Sequence, residues 1–397
     1  MDIQSATPLR FRATTLPTLT SSRQKSQCIL LVEDNELDAH LIKVLLSHVE
    51  SDPAGEFKLQ WVQTLKDALD WLDTYNVDAI LLDLNLSDSE GLQTLSSLRA
   101  VVQEKPVVVL TEPHDPEIGT QAIRHGAQDF LCKNEAMGEH LVRSLRFSLE
   151  CIKRQRFEFE LSGAGLIQNA ILTQPLPQLP GLDLAACYEP AGAVAGDFYD
   201  FIPLDNNSIA VTLGDVSGKG LGPALLMAET RGMLRSILEW EQDPGQVLTK
   251  INTLISTDCI EGTFVTLFLA IVSPSDRTVN FAAAGHQAYL LDQNGRPKSR
   301  LAGSDPPVGI QDDHIYYSKT ITPLNRGDQL FCCTDGITEG FRREKREFFG
   351  MDRVLQIIQS NPRASLKTVL NRLFDSAKHF RDYRHDDMTA AMIRLSS

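Results

Sequence analysis

The chain of 397 residues is predicted to hold two sheet architectures in succession, a doubly wound α/β domain with five strands and then an α+β sandwich, joined by a helical linker. Three observations predict this. From Cys28, short aliphatic runs alternate with helical periodicity, each strand followed by a helix, which is the pattern of a parallel sheet covered on both faces. From Leu182 the runs become strand-rich and only paired helical stretches interrupt them, which suits antiparallel sheets. Between the two lies a helical repeat that ends before a proline cluster. The division expected is a disordered tail over 1–26, a first domain over 27–138, a linker over 139–180 and a second domain over 181–397.

Composition narrows the function. A hydrophobic share of 42% with 23% charged residues reads as folded protein, and the length fits two or three domains. A formal charge of -14 argues against a protein that grips a phosphate backbone. No run approaches the roughly 18–20 apolar residues of a membrane span. The seven cysteines are odd in number, form no C-x-x-C pair and mostly sit in apolar runs, so they read as reduced residues of a cytoplasmic protein. The first 26 residues are rich in Ser and Thr and carry Arg10, Arg12, Arg23 and Lys25 against one acid, Asp2. Without a visible amphipathic helix they read as a disordered tail rather than a transit peptide.

In the first domain the expected strands are Cys28–Val32, Phe57–Val62, Asp78–Leu82, Pro106–Leu110 and Gln128–Leu131. A helix is expected over 37–48, its apolar positions being Leu41, Val44, Leu45 and Val49. Parallel sheets collect functional groups at the carboxyl ends of their strands. Glu33 and Asp34 follow the first strand, Asp83 the third, Thr111 the fourth and Lys133 the fifth. Three carboxylates at one edge repel each other unless a cation joins them, and an all-oxygen set suits Mg²⁺. A lysine and a hydroxyl beside them would hold a transferred phosphoryl group. This constellation resembles the bacterial response-regulator receiver domain. The resemblance implies that Asp83 is the phosphoacceptor, that Glu33, Asp34 and Asp83 bind Mg²⁺, and that Thr111 and Lys133 contact the phosphoryl group. It also puts Phe130 at the switch aromatic and makes a sensor histidine kinase the partner. Two departures stand out: Asn134 follows Lys133 where the family usually has proline, and Ser87 takes the place of a usual proline in the loop after Asp83.

The fifth helix is expected to run on past this domain. Leu141, Leu145, Leu149 and Ile152 approximate a coiled-coil seam, which could carry a conformational signal, form a homodimer, or simply pack on its own domain. The pattern is expected to weaken through Lys153–Phe159 and to break at Gly163 and Gly165, before Pro175, Pro177 and Pro180.

In the second domain, strands are expected over 209–213, 263–271, 278–283, 288–291, 329–333 and 388–393, with helices over 222–238, 244–256 and 366–379. Acids recur beside glycines at strand ends, in Ala195-Gly-Asp197, Gly214-Asp215-Val216, Thr334-Asp335-Gly336 and Asp386-Asp387-Met-Thr389. Such acids, converging, would make an oxygen-rich site for two Mn²⁺ or Mg²⁺ ions and the hydroxide they generate. No Walker or kinase glycine loop is present. These segments, with Gly-Leu-Gly-Pro-Ala-Leu-Leu-Met227 and the Ala-Ala-Gly-His286 turn, resemble the SpoIIE-type (RsbU-type) branch of the metal-dependent protein phosphatases. The resemblance implies a serine/threonine phosphatase with Asp197, Asp215, Asp335 and Asp386 as metal ligands, Asp386 being preferred over Asp387. It also implies a possible ligand in the Val216 carbonyl and a metal-bound water held by Asp215 as nucleophile. His286 reads as a structural hydrogen-bonder and Lys219 as an exposed turn lysine. Ala195 replaces a usual glycine and fits if its φ stays negative.

The expected function is a two-component response regulator in which Asp83 phosphorylation controls a phosphatase acting on a phosphorylated anti-sigma-factor antagonist. The alternative is a catalytically silent protein that sequesters such a partner.

Overall fold

The computed structural model describes residues 26–47, 56–112, 116–133, 137–258, 262–382 and 386–396. The tail before residue 26, Val49, Asn134 and Cys259 lie outside these. The chain forms two compact units that divide between Phe157 and Glu158.

The first unit is a parallel sheet of β1 (Gln27–Val32), β2 (Phe57–Val62), β3 (Ala79–Asp83), β4 (Val107–Thr111) and β5 (Asp129–Cys132), in the order β2-β1-β3-β4-β5. Its helices are α1 (Glu36–Ser47), α2 (Leu65–Thr74), α3 (Leu92–Val101), α4 (Pro116–Arg124) and α5 (Met137–Leu172). Side chains alternate across a strand, so Leu30, Ile80, Leu82 and Val107 pack under α2 and α3 while Ile29, Leu31, Leu81 and Val108 face α1 and α5.

Two expectations are corrected here. Helix α1 buries Ala39, Ile42 and Leu46, whereas Leu41 and Val44 are 48% and 37% exposed. The apolar residues outnumber the face that the sheet can cover, and spacing alone chose the wrong stripe. Helix α5 does not break at Gly163 or Gly165 but continues to Leu172. Its Leu141, Leu145 and Leu149 are buried in the first unit's core, so that seam is packed on its own domain and the first turns of the expected linker belong to the sheet's cover.

The second unit stacks two five-stranded antiparallel sheets between helix pairs. One sheet runs β13 (Lys319–Ile321), β10 (Thr278–Ala284), β9 (Val265–Ser273), β8 (Ile209–Val216), β7 (Phe198–Pro203). The other runs β12 (Pro297–Ala302), β11 (Gln287–Leu291), β14 (Gln329–Cys333), β17 (Met388–Leu395), β6 (Leu182–Glu189). The first sheet is covered by α6 (Leu221–Ile237) and α7 (Pro244–Asp258), the second by α9 (Gly350–Gln359) and α10 (Leu366–Phe380). A short α8 (Asp335–Thr338) and the ribbon β15 (Phe341–Arg342) and β16 (Glu347–Phe348) follow β14. Period-two alternation builds the layers: Phe268, Ala270 and Val272 of β9 point between the sheets, and Leu267, Leu269 and Ile271 point at the helices.

Candidate functional site

In the first unit the residues from three strand ends, those of β1, β3 and β5, meet. The Lys133 ammonium lies 2.6 Å from Asp83 Oδ2 and 2.7 Å from Glu33 Oε2. Asp38, on the first turn of α1, adds a third carboxylate at 3.1 Å from the same nitrogen. Glu33, Asp34 and Asp83 bring one ligand oxygen each within 4.8 Å of one another, a donor set that fits a hard divalent ion. Burial pushes the Glu33 carboxyl up to about 7, against the pull of Lys133. Lys133 is raised even though burial opposes it, because Asp83 and Glu33 both accept its hydrogen bonds. Asp83 Oδ1 also accepts the Asn85 backbone N–H at 2.9 Å. Thr111 is buried at the end of β4, and Phe130 lies half-buried on β5 beside α4.

The second unit's acids are gathered by strand register. Phe198 pairs with Gly214, which sets Asp197 next to Asp215. Cys333 pairs with Ala390 one step from Thr334 and Thr389, so Asp335 and the Asp386–Asp387 pair leave neighbouring strand ends. Gly336 has to be glycine, since a Cβ there would sit 1.8 Å from the Asp387 carbonyl oxygen. Asp197 is buried where the two sheets meet, its Oδ2 accepting from the Thr334 and Thr389 hydroxyls at 2.7 Å each. Burial and the charge of Asp215 hold the Asp197 carboxyl well above the usual carboxylate range. Burial, then Asp335 and Asp386, push Asp215 up to about 7, while a hydrogen bond with Asp197 works the other way. Asp335 is raised by burial and by Glu339 and Asp386.

Among the described residues these acids do not close as tightly as the first unit's three. Asp386 is drawn to Lys219, whose ammonium lies 3.1 Å from its Oδ2. Asp387 turns the other way, accepting from the Ala191 and Gly196 N–H groups at 2.6 and 3.0 Å. A cluster of oxygens that raises its own proton affinity and holds one lysine at its rim fits divalent cations. A cavity of about 220 Å³ opens beside Asp335 and Asp386, walled by Phe341, Phe348 and Arg381. The Val216 backbone is buried at the end of β8, next to Gly196. Ala195 is not among the residues of positive φ. His286 Nδ1 lies 3.1 Å from the Thr266 hydroxyl, and burial lowers its pKa to about 4, which suits a structural role.

Sequence reasoning missed Asp38, Thr334, Thr389 and the clamp by Asp387. The two threonines stand inside the acid motifs, where a hydroxyl beside a ligand position was a usable signal.

Residues 29–145 match the family model of the response regulator receiver domain, and residues 205–396 that of stage II sporulation protein E (SpoIIE). Phosphoserine phosphatase RsbU of Bacillus subtilis (strain 168) is 28% identical over 243 residues, 61% of this chain and 71% of that protein. Protein IcfG of Synechocystis sp. is 29% identical over 230 residues, and the chain spans only 36% of its length. Among solved structures, the SiaA-PP2C domain of Pseudomonas aeruginosa is similar in fold, with a TM-score of 0.54 at 22% identity over 62% of this chain and 99% of that one.

Proposed function

Given that this chain joins a response-regulator receiver domain to a SpoIIE-type serine/threonine phosphatase domain, we propose that Asp83 phosphorylation sets the rate at which the second unit dephosphorylates its target. The observation that carries the catalytic half is the convergence of Asp197, Asp215, Asp335 and Asp386 on one edge, with Asp215 held near pH 7. A fold does not keep carboxylates in mutual repulsion without return, and binding two Mn²⁺ or Mg²⁺ ions is the return. The ligands are those four acids and the Val216 carbonyl. Asp386 is the ligand of its pair because both Asp387 oxygens are already taken by backbone N–H groups.

When bound, the ions supply positive charge that polarises the phosphoryl group and acidifies water. The chain does the rest. Asp215 orients the water, Thr334 and Thr389 fix Asp197, and Lys219 is placed to leave Asp386 for a phosphate oxygen. In the receiver, Glu33, Asp34 and Asp83 would hold Mg²⁺, and Lys133 and Thr111 would take the phosphoryl oxygens of a group that Asp83 accepts from a sensor histidine kinase.

The target proposed is a phosphoserine or phosphothreonine of an anti-sigma-factor antagonist, the class that the SpoIIE-type resemblance implies. No helix among the described residues is long and apolar enough to cross a membrane, in keeping with a cytoplasmic place of action. A homodimer through α5 would use the exposed Phe159 and Leu166, seven residues apart, since Leu141, Leu145 and Leu149 are committed to the receiver core. The test is Mn²⁺-dependent phosphate release by the full chain from a phosphoserine protein, with and without acetyl phosphate. No release in either condition, with the partner nevertheless bound, would make the protein a sequestering scaffold instead.

A further inference from the structure

Antiparallel strands turn alternate backbone groups toward each neighbour, so the outermost strand of a sheet leaves every second residue without a ladder partner. In the second unit β6 is such a strand, paired with β17 alone. The Ser396 N–H donates to the Gly181 carbonyl, while on the opposite side of β17 the Thr389 carbonyl accepts from Thr334. Even-numbered residues of β17 therefore bond β6, and their partners there are Asp183, Ala185, Cys187 and Glu189. Leu182, Leu184, Ala186 and Tyr188 point their N–H and C=O groups away from the sheet. The Leu182 N–H is taken by the Leu179 carbonyl at 3.2 Å. Among the described residues nothing meets the outward groups of Leu184 and Ala186.

The other three edges of the sandwich are blunted. β12 opens with Pro297 and carries Lys298 and Arg300, and β13 has only three residues. β7 ends at Pro203, and its Phe201 N–H is taken by Asp200 Oδ1 at 2.9 Å. β6 has eight residues without proline, lysine or arginine. It is instead sunk between two walls. A groove of about 670 Å³ runs along Leu184–Glu189, with Leu176 and Tyr199 on the side of the core between the sheets and α10 on the outer face. A second hollow, of about 820 Å³, continues it past Leu182. Walls on both faces keep out another sheet with its covering helices. They leave the edge open to a lone strand, which would lie about 4.8 Å from β6.

We infer that this edge is a docking groove for an extended segment of a partner protein, which pairs with Leu184 and Ala186 as a sixth strand. The walls decide what its side chains are. Positions turned inward meet Leu176, Leu184 and Tyr199 and take apolar residues. Positions turned outward meet α10, where Lys378 is already paired with Glu189 at 2.8 Å, whereas Lys367 has no ion pair among the described residues. An acidic residue there pairs with Lys367, so the partner segment alternates apolar residues with polar ones that include an acid. None of the acids proposed as metal ligands lines the groove, so the site recruits and does not react.

The experiment selects peptides from a displayed random library on the full chain and measures the best binders by fluorescence anisotropy. The selected sequences should alternate apolar and acidic residues, and a library that yields no binder would overturn the proposal. Ala186→Pro removes an outward N–H that β17 does not use, so circular dichroism should match wild type while peptide affinity falls at least about tenfold. N-methylation of alternate peptide bonds should abolish binding in the register that faces β6 and be tolerated in the other. Wild-type affinity in Ala186→Pro, or equal tolerance of both registers, would refute the added strand. If Ala186→Pro does not fold, Lys367→Glu on the surface of α10 still decides: it should turn the preference from acidic to basic peptides, and an unchanged preference would overturn the proposal. Two other occupants have their own signatures. Removal of residues 1–25 would raise peptide affinity if this chain's own tail filled the groove. A dimer seen by light scattering that Ala186→Pro dissolves would give the edge to a second copy. Either result refutes a separate partner. No arm reads phosphate release, so the outcome is independent of the function proposed above.

Discussion

Replacing Asp215 by Asn should stabilise the metal-free protein at alkaline pH while destroying its activity. The ordinary aspartate value is 3.8, and burial together with Asp335 and Asp386 pushes Asp215 up to about 7. Between these values the folded protein holds a proton that the unfolded chain has released. Stability in chelator therefore falls as pH rises through that window and levels off above it. An interval of about 3 pH units is worth about 4 kcal/mol at about 1.4 kcal/mol each. Asparagine carries no charge at any pH, so the variant escapes this loss. The hydrogen bond between Asp215 and Asp197 is weakened in exchange, at about 1 kcal/mol, while burial, the larger cause, still holds the Asp197 pKa up once the charge of Asp215 is gone. A net gain of about 3 kcal/mol at pH 8, and a net loss of about 1 kcal/mol at pH 4, is the expected result. Calorimetric melts of both proteins in chelator at pH 4, 6 and 8 test it, and added Mn²⁺ should invert the order by stabilising wild type alone. Equal pH dependence of the two proteins would show that Asp215 does not bear the cluster's repulsion, and the argument for a cation there would fall.

Asp335→Asn should lower Mn²⁺-dependent phosphate release more than about a hundredfold with the fold intact by circular dichroism, and near-normal turnover at saturating Mn²⁺ would reject the ligand assignment. Lys133→Ala leaves Glu33 and Asp83 facing each other without their shared cation, so the receiver should lose about 3 kcal/mol in chelator, partly restored by Mg²⁺; an unchanged denaturation midpoint would contradict this. Asp83→Asn should erase the response of turnover to acetyl phosphate, and a response that persists in the variant would remove Asp83 from the control. Paired phosphopeptides should show faster release from phosphoserine than from phosphotyrosine, and the reverse preference would reject the substrate class.

What could be read in the sequence was whatever a continuous apolar run or a glycine-flanked acid announces. Strands β4 and β14 are buried along their whole length, and both stood out as such runs. Strand β12, Pro-Lys-Ser-Arg-Leu-Ala, and the three residues of β13 are edge strands with little to bury, so their pairing is decided by their neighbours. Glycine in a helix costs about 1 kcal/mol, which made Gly163 and Gly165 look like breaks. At Gly165 the lack of a side chain is what lets the helix lie against Ala193. Of the acids proposed as phosphatase ligands, Asp197, Asp215 and Asp335 were legible because each adjoins a glycine, and Asp386 because it opens an acidic pair. Their supports were not, since Thr334 and Thr389 reach Asp197 across 137 and 192 residues and Asp387 reaches Gly196 across 191. No local pattern encodes a partner that distant.

The two acid clusters solve the same electrostatic problem differently, and the difference bears on which one can be regulated through order. In the receiver, Lys133 is a buried internal counter-ion within 3.1 Å of Glu33, Asp38 and Asp83, so the Glu33, Asp34 and Asp83 set has the protein's own charge beside two of its members. Among the described residues the cation paired with the phosphatase cluster is Lys219, 61% exposed at the rim, and the cluster meets its repulsion by holding protons and by spreading its acids. A site with an internal cation is preformed. A site without one is drawn together by the ions it binds, and its affinity depends on how well each carboxylate is held in place beforehand. Small changes in the support of one ligand are therefore amplified in the second unit and muted in the first. Of the proposed ligands, Asp197 rests on the most distant supports: its carboxylate accepts from the β14 and β17 hydroxyls, and the backbone just before it is held by the Asp387 carboxylate at Gly196 and by Gln168 at Ala195.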